Sequence, residues 1–458
     1  MALRSSSMDM CEGPLLKKMI IYTIPVILTG VLQLLFNAAD LVVVGRFCGS
    51  VSVGAIGATG PLINLIVNLF MGLSVGAGVS VAQALGAENS KDVFRTVHTS
   101  MPVALISGAA IMLIGLLGSE WFLRLMGTPE NVLKLSAVYM RIYFCGVIPS
   151  MVYNFGAAIL RAAGDTKAPL VFLTIAGILN VILNLFFVIV FHMNVAGVAL
   201  ATIISQTVSA VLILYALMRR GDACRLELKS LQMNGKVLTK MLRIGLPAGI
   251  QGSLFSVSNV LIQSSINSFG EMAMAGNAAA GNIEGFVYII MNSFHQTTLN
   301  FVGQNMGAKK LKRVGRVVRI SLLLVFTVGL VAGLCAWAFG RSLLGIYITD
   351  SAQAIEYGLV RMSFICTTYF ICGMMDTMTG AMRGLGVSVE PLVITVLGVC
   401  VSRIAWIYTI FQIPAYHTLE WLYLSYPLSW ALTLLAQVLV YRRIIRRIHK
   451  TAETAAAA

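Results

Sequence analysis

The stretch LLFNAADLVVVG, Leu34 to Gly45, sets an acid inside a long apolar run. If the run is helical, the polar residue Asn37 lies about one turn before Asp40. The run extends from about residue 19 to about residue 44, and about 20 mostly apolar residues suffice to cross a bilayer as one helix. A carboxylate in such a span is energetically costly and is therefore a candidate for function. The stretch predicts a membrane-spanning fold and marks one residue within it.

The composition of the whole chain is typical of a protein with many membrane spans. Of the 458 residues, 58% are hydrophobic and 11% are charged, whereas soluble domains carry about 25% charged residues. The mean hydropathy is +0.86, and no soluble fold of this length hides so much apolar surface. The net charge of +15 comes from basic residues in the loops between apolar runs. We therefore predict that this charge sets membrane orientation, and we expect no nucleic-acid partner.

The apolar runs predict about twelve spans. Their approximate limits are residues 19–44, 52–84, 97–118, 135–158, 168–191, 195–217, 241–268, 273–302, 317–339, 358–380, 391–412 and 418–440. Alternate numbering of the loops assigns roughly 26 of the 33 Lys and Arg residues to one side, which the positive-inside rule makes the cytoplasm. Both termini are then cytoplasmic. Arg361 is assigned to the outer side, and Arg403 remains inside a span.

The two halves of the chain repeat each other about 222 residues apart. RAAGDTKAPL (Arg161–Leu170) matches RGLGVSVEPL (Arg383–Leu392) in the positions of Arg, Gly and Pro-Leu. Six spans per repeat give both halves the same orientation, related by an axis along the membrane normal. The predicted fold is all-α and integral to the membrane, with twelve transmembrane helices in two pseudo-symmetric six-helix lobes. The domains are a cytoplasmic N-terminal segment, the N-lobe, a cytoplasmic linker, the C-lobe and a basic cytoplasmic tail, at residues 1–18, 19–218, 219–240, 241–441 and 442–458.

Motifs for hydrolytic chemistry are absent from the sequence. The chain has no Walker A, HExxH or GxSxG motif, and its eight cysteines form no CxxC pair. An intramembrane enzyme would need paired catalytic groups, for which only Glu284 and Asp376 are candidates, and no nucleophile motif accompanies them. We therefore predict no enzyme, no nucleotide partner and no cofactor. A transporter without an ATPase either runs downhill or couples to an ion gradient, and we expect the coupling ion to be H⁺ or Na⁺.

Four polar side chains are predicted to converge in the outer half of the N-lobe. At about 1.5 Å per residue, Asp40 lies roughly 9 Å, Asn184 roughly 12 Å and Asn180 roughly 18 Å below the outer edge. Thr202 lies about 12 Å below it, and Asn180 and Asn184 share one helix face with Gly177. A lone carboxylate in a low dielectric tends to be protonated, but the Asn carbonyls and the Thr hydroxyl can instead solvate Na⁺ or hydrogen-bond the acid. The alternative is a polar network that only holds helices together.

The ionisable residues of the C-lobe allow several interpretations. Glu284 and Arg403 each fall near mid-membrane, where a salt bridge between them would neutralise both. Asp376 lies roughly 10 Å from the cytoplasmic edge and is either a second proton site or a partner of Arg403. His295 is expected to make an interior polar contact.

The repeat does not extend to these polar groups. Asp40 corresponds to Ile262, and Asn184 corresponds to Trp406, so we expect ion binding to be centred on the N-lobe. Flexible and aromatic side chains near the polar positions suit a promiscuous substrate cavity. The predicted cavity residues are Gln33, Phe36, Asn37, Met71, Asn154, Met291 and Phe294.

Several segments together resemble the multidrug and toxic compound extrusion (MATE) family. The resemblance covers about residues 15 to 445. It rests on IPVILTGVLQLLFNAADLVVVGRFCG, MGLSVGAGVSVAQALGA, NFGAAILRAAGDTKAPL, GVALATIISQ and GAMRGLGVSVEPL. It implies twelve helices in two six-helix lobes arranged as a V, and export of mostly cationic, amphipathic compounds in exchange for H⁺ or Na⁺.

The resemblance also implies where the coupling ion binds. The family's N-lobe cation site falls on the same four polar residues, but Asn184 occupies a position that is often Asp. The family's C-lobe site falls on Gln251 and Cys372, where the usual Glu and Asp are missing. Asp376, one turn after Cys372, is a substitute to consider. These departures leave H⁺ and Na⁺ both open and put more weight on Asp40.

We therefore expect a monomeric antiporter of the bacterial inner membrane, whose partners are the lipid bilayer and a small cationic or amphipathic substrate. Ion binding at Asp40 would drive export by alternating access. The alternative is a flippase for lipid-linked precursors, because related members of the superfamily share the architecture. Those proteins often have a strongly cationic central cavity, for which Arg403 is the one supporting residue.

Overall fold

The computed structural model of the protein describes residues 8–349 and 351–457, and within these ranges it contains helices and loops but no β-strand. The first half of the chain forms α1 (Leu15–Phe47), α2 (Ser50–Gly86), α3 (Ser90–Leu125), α4 (Glu130–Cys145), α5 (Val147–Ala162), α6 (Lys167–Leu185) and α7 (Asn194–Met218). The second half forms α8 (Gly235–Asn267), α9 (Glu271–Gly307), α10 (Leu311–Ala338), α11 (Gly340–Tyr347), α12 (Ala352–Ile365), α13 (Tyr369–Gly384), α14 (Val389–Thr395), α15 (Ser402–Tyr408) and α16 (Leu419–Ala457).

Packing divides the described chain into two compact units. The first comprises Ile20–Ser253 together with residues 8–10, and the second comprises Cys11–Met19 and the described chain from Leu254 onward. The segment Cys11–Met19 contacts the second unit directly. The ammonium group of Lys310 donates a hydrogen bond to the backbone carbonyl of Cys11 at 3.2 Å. The division between the units falls inside α8.

The helices are numerous and apolar enough for a protein with many membrane spans. In the described ranges nine helical segments are long and apolar enough to cross a bilayer, or ten if the bent pair α4 and α5 forms one span. In this number α12 with α13, and α14 with α15, each count as one segment. α8 and α9 are also long enough to cross a bilayer, but they are more polar. α9 carries Asn277, Glu284 and His295 on its buried face. With α8 and α9 included the segments are twelve, six in each half, as the sequence predicts.

Two spans change their helical geometry beside polar residues that the sequence singles out. α6 continues as a π-helical turn over Phe186–Val190, which begins two residues after Asn184. A second π-helical turn, over Val396–Val401, joins α14 to α15 and ends two residues before Arg403. The extra residue in such a turn re-aims the side chains around it, and π-helical turns are frequent at functional sites.

Glycines allow close helix contacts in the N-lobe. The ring of Phe144 on α4 packs directly against Gly115 of α3, where a methyl group would overlap the ring. Gly146, between α4 and α5, faces Ile203 of α7. The bend between α4 and α5 at Gly146 is 48°. In lipid, helices associate mainly through such close packing, because no difference in hydrophobicity drives them together.

α9 is the central helix of the C-lobe and packs against α10, α12 and α13. Gly276 of α9 lies against the backbone of Ala354 and Gly358 on α12, where a methyl group would overlap it. This close approach turns one face of α9 into the interior of the lobe. The polar residues on that face are therefore buried among other helices.

The chain between the two halves is attached to the start of α3. The backbone N–H of Glu227 donates to Nε2 of His98 at 3.0 Å. The backbone N–H of Asn234 donates to Oγ1 of Thr99 at 3.3 Å. The predicted linker, residues 219–240, thus has fixed contacts with the first unit.

Candidate cation site and buried charge network

The N-lobe site is built from α1, α6 and α7. Nδ2 of Asn184 on α6 donates a hydrogen bond to Oδ1 of Asp40 on α1, and it also lies 3.3 Å from Oδ1 of Asn180. Asn180 in turn donates from Nδ2 to Oγ1 of Thr202 on α7, at 3.4 Å. The structure thus brings together the four residues that the sequence places at similar depth.

Helix spacing and one glycine explain how α1 and α6 come close enough for these contacts. Gly177, Asn180 and Asn184 lie on the buried face of α6, and residues three and four apart on a helix point the same way. Phe36 of α1 covers Gly177 so closely that a methyl group at Gly177 would overlap the ring. Asp40, one turn after Phe36, therefore reaches Asn184.

The site combines one acid with several oxygen atoms in a buried environment. Asn184 has an exposed fraction of 0%, and among the described residues its Oδ1 has no hydrogen-bond partner. The Asp40 carboxylate, this amide oxygen and the nearby Oδ1 of Asn180 and Oγ1 of Thr202 are hard oxygen ligands. Such ligands suit a hard cation, so the donor set fits Na⁺ as well as a proton on Asp40.

Tyr139 of α4 is a neighbour of this site that the sequence analysis missed. It is buried, its ring lies 6.2 Å from that of Tyr143, and it is close enough to Asp40 for the two groups to interact electrostatically. An aromatic residue in an apolar span gives no signal that separates a site residue from ordinary packing.

Glu284 in the C-lobe pairs with an arginine other than the predicted one. Nε and Nη2 of Arg361 donate to the two carboxylate oxygens of Glu284 at 2.8 and 2.6 Å. Nη1 of Arg361 donates to Oδ1 of Asn277 at 2.6 Å, and the Tyr423 hydroxyl donates to the same oxygen at 3.3 Å. The predicted salt bridge between Glu284 and Arg403 is therefore wrong.

Arg361 lies farther from the end of its helix than the sequence suggests, and its assignment to the outer side stays a prediction. α12 begins at Ala352, earlier than the predicted limit of the span, so Arg361 lies nine residues inside the helix. Its side chain is only 12% exposed. Arg361 is a buried member of the C-lobe, with a carboxylate that neutralises its charge.

Arg403 lies apart from that ion pair. Its Nε donates to Oγ of Ser429 on α16 at 2.9 Å. Its guanidinium carbon lies 4.0 Å from the ring centroid of Tyr426 and 5.4 Å from that of Trp430. In the described chain no carboxylate lies within 4.0 Å of it, so the interpretation of Asp376 as its salt-bridge partner is also wrong.

Asp376 and His295 meet through the backbone. Nδ1 of His295 donates to the carbonyl oxygen of Asp376 at 2.7 Å, and both residues are buried. The predicted interior polar contact of His295 is thus confirmed. Asp376 lies one turn after Cys372 on α13, and its role as a second proton site stays a prediction.

A sequence model of the MatE family matches residues 25–186 and residues 247–409. The two matched segments are the two halves of the internal repeat, and together they cover more than half of the chain. The chain belongs to the MatE family. A second family model, that of the lipid II flippase MurJ, matches residues 128–262.

Relatives within the MatE family cover nearly the whole chain. The probable multidrug resistance protein YoeA of Bacillus subtilis is 27% identical over 429 residues, which is 92% of each protein. The probable multidrug resistance protein YpnP of the same organism is 28% identical over 397 residues, 86% of this chain and 88% of the relative. A solved outward-facing conformation of a MATE family multidrug resistance transporter has a TM-score of 0.90 at 21% identity, covering 97% of this chain and 99% of that one. The protein is therefore a multi-pass membrane transporter with the twelve-helix fold in two lobes.

The residues predicted to line a substrate cavity in the N-lobe of this MatE family member have different environments. Gln33 and Asn37 are exposed on α1, and Phe36 is half-buried beside them. Met71 is half-buried against the N-lobe core. Asn154 donates from Nδ2 to a backbone carbonyl of its own helix at 2.8 Å. Only Gln33, Phe36 and Asn37 form a contiguous group next to Asp40 along one helix.

The two predicted cavity residues of the C-lobe lie in packed surroundings. Met291 and Phe294 are buried in a hydrophobic cluster with Val325. The sulfur of Met291 occupies the space that Gly329 and Gly373 leave on α10 and α13. In this structure both side chains contribute to the core of the lobe, and their contact with substrate stays a prediction.

Proposed function

We propose that the protein is a secondary active antiporter that exports amphipathic, mostly cationic compounds in exchange for H⁺ or Na⁺ by alternating access. The hydrogen bond between Asn184 and Asp40 carries the proposal, because it joins the one acid of the N-lobe interior to an amide network that reaches α7. Membership of the MatE family supports transport. The names of YoeA and YpnP, both probable multidrug resistance proteins, support drug export.

The coupling step takes place at Asp40. An ionised Asp40 accepts a hydrogen bond from Asn184, whereas a proton or Na⁺ on the carboxylate competes with the Asn184 amide for the same oxygen. Asn184 can then turn its otherwise unpartnered Oδ1 toward the acidic O–H or the ion. The rotation breaks its contact with Asn180, and since Asn180 bonds Thr202, the change reaches α7.

This rearrangement can bias alternating access. An ion shifts a conformational equilibrium only by its difference in affinity for the two conformations. Asp40 on α1 contacts α6 only when the two helices are as close as Phe36 and Gly177 allow, so the ion's affinity depends on the spacing of α1 and α6. If the ion is Na⁺, Asp40 and Asn184 supply its first ligands, and the ion's positive charge neutralises the carboxylate.

The orientation of the protein follows from its loops. Roughly 26 of the 33 Lys and Arg residues lie on the side that carries both termini, which assigns that side to the cytoplasm of a bacterial inner membrane. The basic end of α16 is on the same side. Asp40 then faces the outer half of the bilayer, where a coupling ion from outside reaches it.

Ethidium transport into inverted membrane vesicles tests the proposed function. Proton and sodium gradients are imposed separately, with vesicles that lack the protein as the control. The proposal expects ethidium accumulation driven by one or both gradients. If neither gradient drives transport of ethidium or of other amphipathic cations, the protein is not such an antiporter.

A flippase for lipid-linked precursors is the second candidate function. The match of the MurJ family model to residues 128–262 favours it, as does a buried basic residue, Arg403, in the C-lobe. Reconstituted vesicles with a fluorescent lipid-linked sugar separate the two candidates. Ion-driven ethidium transport without flipping supports the antiporter, and flipping without ethidium transport supports the flippase.

A further inference from the structure

The interior of the C-lobe contains more positive than negative charge around α16. Both carboxylate oxygens of Glu284 are taken by Arg361. Arg403 is 4% exposed, and no carboxylate among the described residues is within ion-pair distance of its guanidinium. One full positive charge is therefore held inside the lobe without a counter-ion from the residues around it.

The contacts of Arg403 use only part of the hydrogen-bonding capacity of its side chain. A guanidinium has five N–H donors, and here Nε donates to the neutral hydroxyl of Ser429. Nη2 is buried and has no hydrogen-bond partner in the described part of the chain. The rings of Tyr426 and Trp430 stabilise the charge through their faces, but a ring face leaves an in-plane N–H donor unused. Intramembrane arginines are costly, and they are usually paired or functional.

The chemistry of this environment selects one class of ligand group. A planar guanidinium with a buried and unpaired N–H group matches a carboxylate, which can accept two parallel hydrogen bonds. The neighbouring aromatic rings suit the apolar, planar body of an amphipathic compound. The π-helical turn Val396–Val401 immediately precedes α15, and such turns are frequent at functional sites.

We propose that Arg403 is a specificity-determining residue that binds the carboxylate of amphipathic substrates within the C-lobe. This inference rests on the proposed transport function and extends its substrate range from cations to zwitterionic and anionic aromatic compounds. The charge of Arg361 is already neutralised by Glu284, whereas Arg403 has no carboxylate partner among the described residues. Arg403 can therefore pair with the carboxylate of a substrate.

Binding of a matched pair of fluorescent probes tests the inference. Dansylglycine has an aromatic body and a carboxylate, and dansylglycinamide has the same body with a neutral amide. The full-length purified protein is titrated with each probe, and dansyl fluorescence gives the dissociation constants. Because hydrogen bonds to charged groups are stronger than those between neutral groups, the wild-type protein is expected to bind the acid at least about tenfold more tightly than the amide.

Three variants identify the residue responsible. Arg403→Gln is expected to abolish the preference for the acid and to leave affinity for the amide within about twofold. Arg403→Lys keeps the charge without the planar fork, and it should keep only part of the preference. Arg341→Gln removes an arginine from an exposed ion pair with Glu356, so it should behave as the wild type.

Each outcome of this experiment has a definite meaning. Equal affinity of the wild type for acid and amide overturns the inference, and so does an acid preference that survives in Arg403→Gln. If Arg403→Gln fails to fold, Arg403→Lys decides, because an unchanged acid preference there contradicts a bidentate contact. The titration needs no ion gradient, and Asp40→Asn should retain the preference. Absence of ion-driven efflux by the wild-type protein would thus overturn the proposed function without overturning carboxylate binding at Arg403.

Discussion

Asn184 on α6 donates a hydrogen bond to the carboxylate of Asp40 on α1, and the same amide nitrogen lies 3.3 Å from Oδ1 of Asn180. One amide group therefore links the acid to the rest of the polar network. An ion that binds the same carboxylate oxygen competes with this amide. We therefore propose that Asn184 is the residue through which ion binding at Asp40 changes the contacts between helices.

A second carboxylate at Asn184 should favour Na⁺ over H⁺. Asn184→Asp adds an anionic oxygen ligand beside Asp40, and the attraction of a cation to two buried charges should tighten Na⁺ binding at least about tenfold. The Na⁺ concentration that half-saturates efflux measures this change in reconstituted vesicles. Asn267→Asp, which adds an acid at the exposed end of α8, is the control. An unchanged Na⁺ dependence in Asn184→Asp would show that Na⁺ does not bind at Asn184.

The close approach of α1 and α6 should be needed for transport. Gly177→Ala inserts a methyl group into the ring of Phe36, and overpacking of this kind costs about 1–3 kcal/mol. Because Asp40 follows Phe36 by one turn, we expect ion-driven efflux to fall several-fold. Gly60→Ala in α2 is the control, since a methyl group there would have no described atom within 4 Å. Equal efflux by the two variants would mean that this spacing does not matter.

The buried ion pair of the C-lobe should be a major contribution to its stability. Glu284→Gln leaves Arg361 buried without a carboxylate, and breaking a buried pair in this way costs about 3–5 kcal/mol. The apparent melting temperature in detergent should therefore drop clearly. Replacing Arg361 with Met in addition should restore part of it, since no charge is then left unpaired.

The exposed pair formed by Arg341 and Glu356 provides the comparison. These side chains are 69% and 58% exposed, and exposed ion pairs contribute little because water and salt screen them. Glu356→Gln should leave the melting temperature almost unchanged. A larger drop for Glu356→Gln than for Glu284→Gln would contradict the assignment of a structural role to the buried pair.

The sequence predicts the polar network of the N-lobe well because two simple quantities determine which side chains meet. Depth follows from the number of residues between a polar side chain and the end of its span, and helix face follows from spacing along the chain. Asn180, Asn184 and Thr202 satisfy both conditions with respect to Asp40, and their side chains form one network in the structure. The repeat is also readable from the sequence, and the two segments matched by the MatE family model reproduce it.

The pairing of charges in the C-lobe is not predictable in the same way. The apolar run that contains Arg361 suggests a helix start near residue 358, but α12 starts at Ala352, so an arginine near the apparent edge is in fact buried. Whether Glu284 meets Arg361 or Arg403 depends on how α9, α12 and α15 are rotated about their axes. Hydropathy gives no information on that rotation when three helices compete for one acid.

The most direct test of the central claim is efflux by Asp40→Asn in reconstituted vesicles. The variant keeps the size of the side chain and removes the carboxylate that we propose binds the coupling ion. Ethidium transport is measured under imposed proton and sodium gradients, and ethidium binding to the purified variant serves as the folding control. We predict that binding remains within about threefold of the wild type while gradient-driven transport is lost. Transport by Asp40→Asn at the wild-type rate under either gradient would contradict the assignment of Asp40 as the coupling carboxylate.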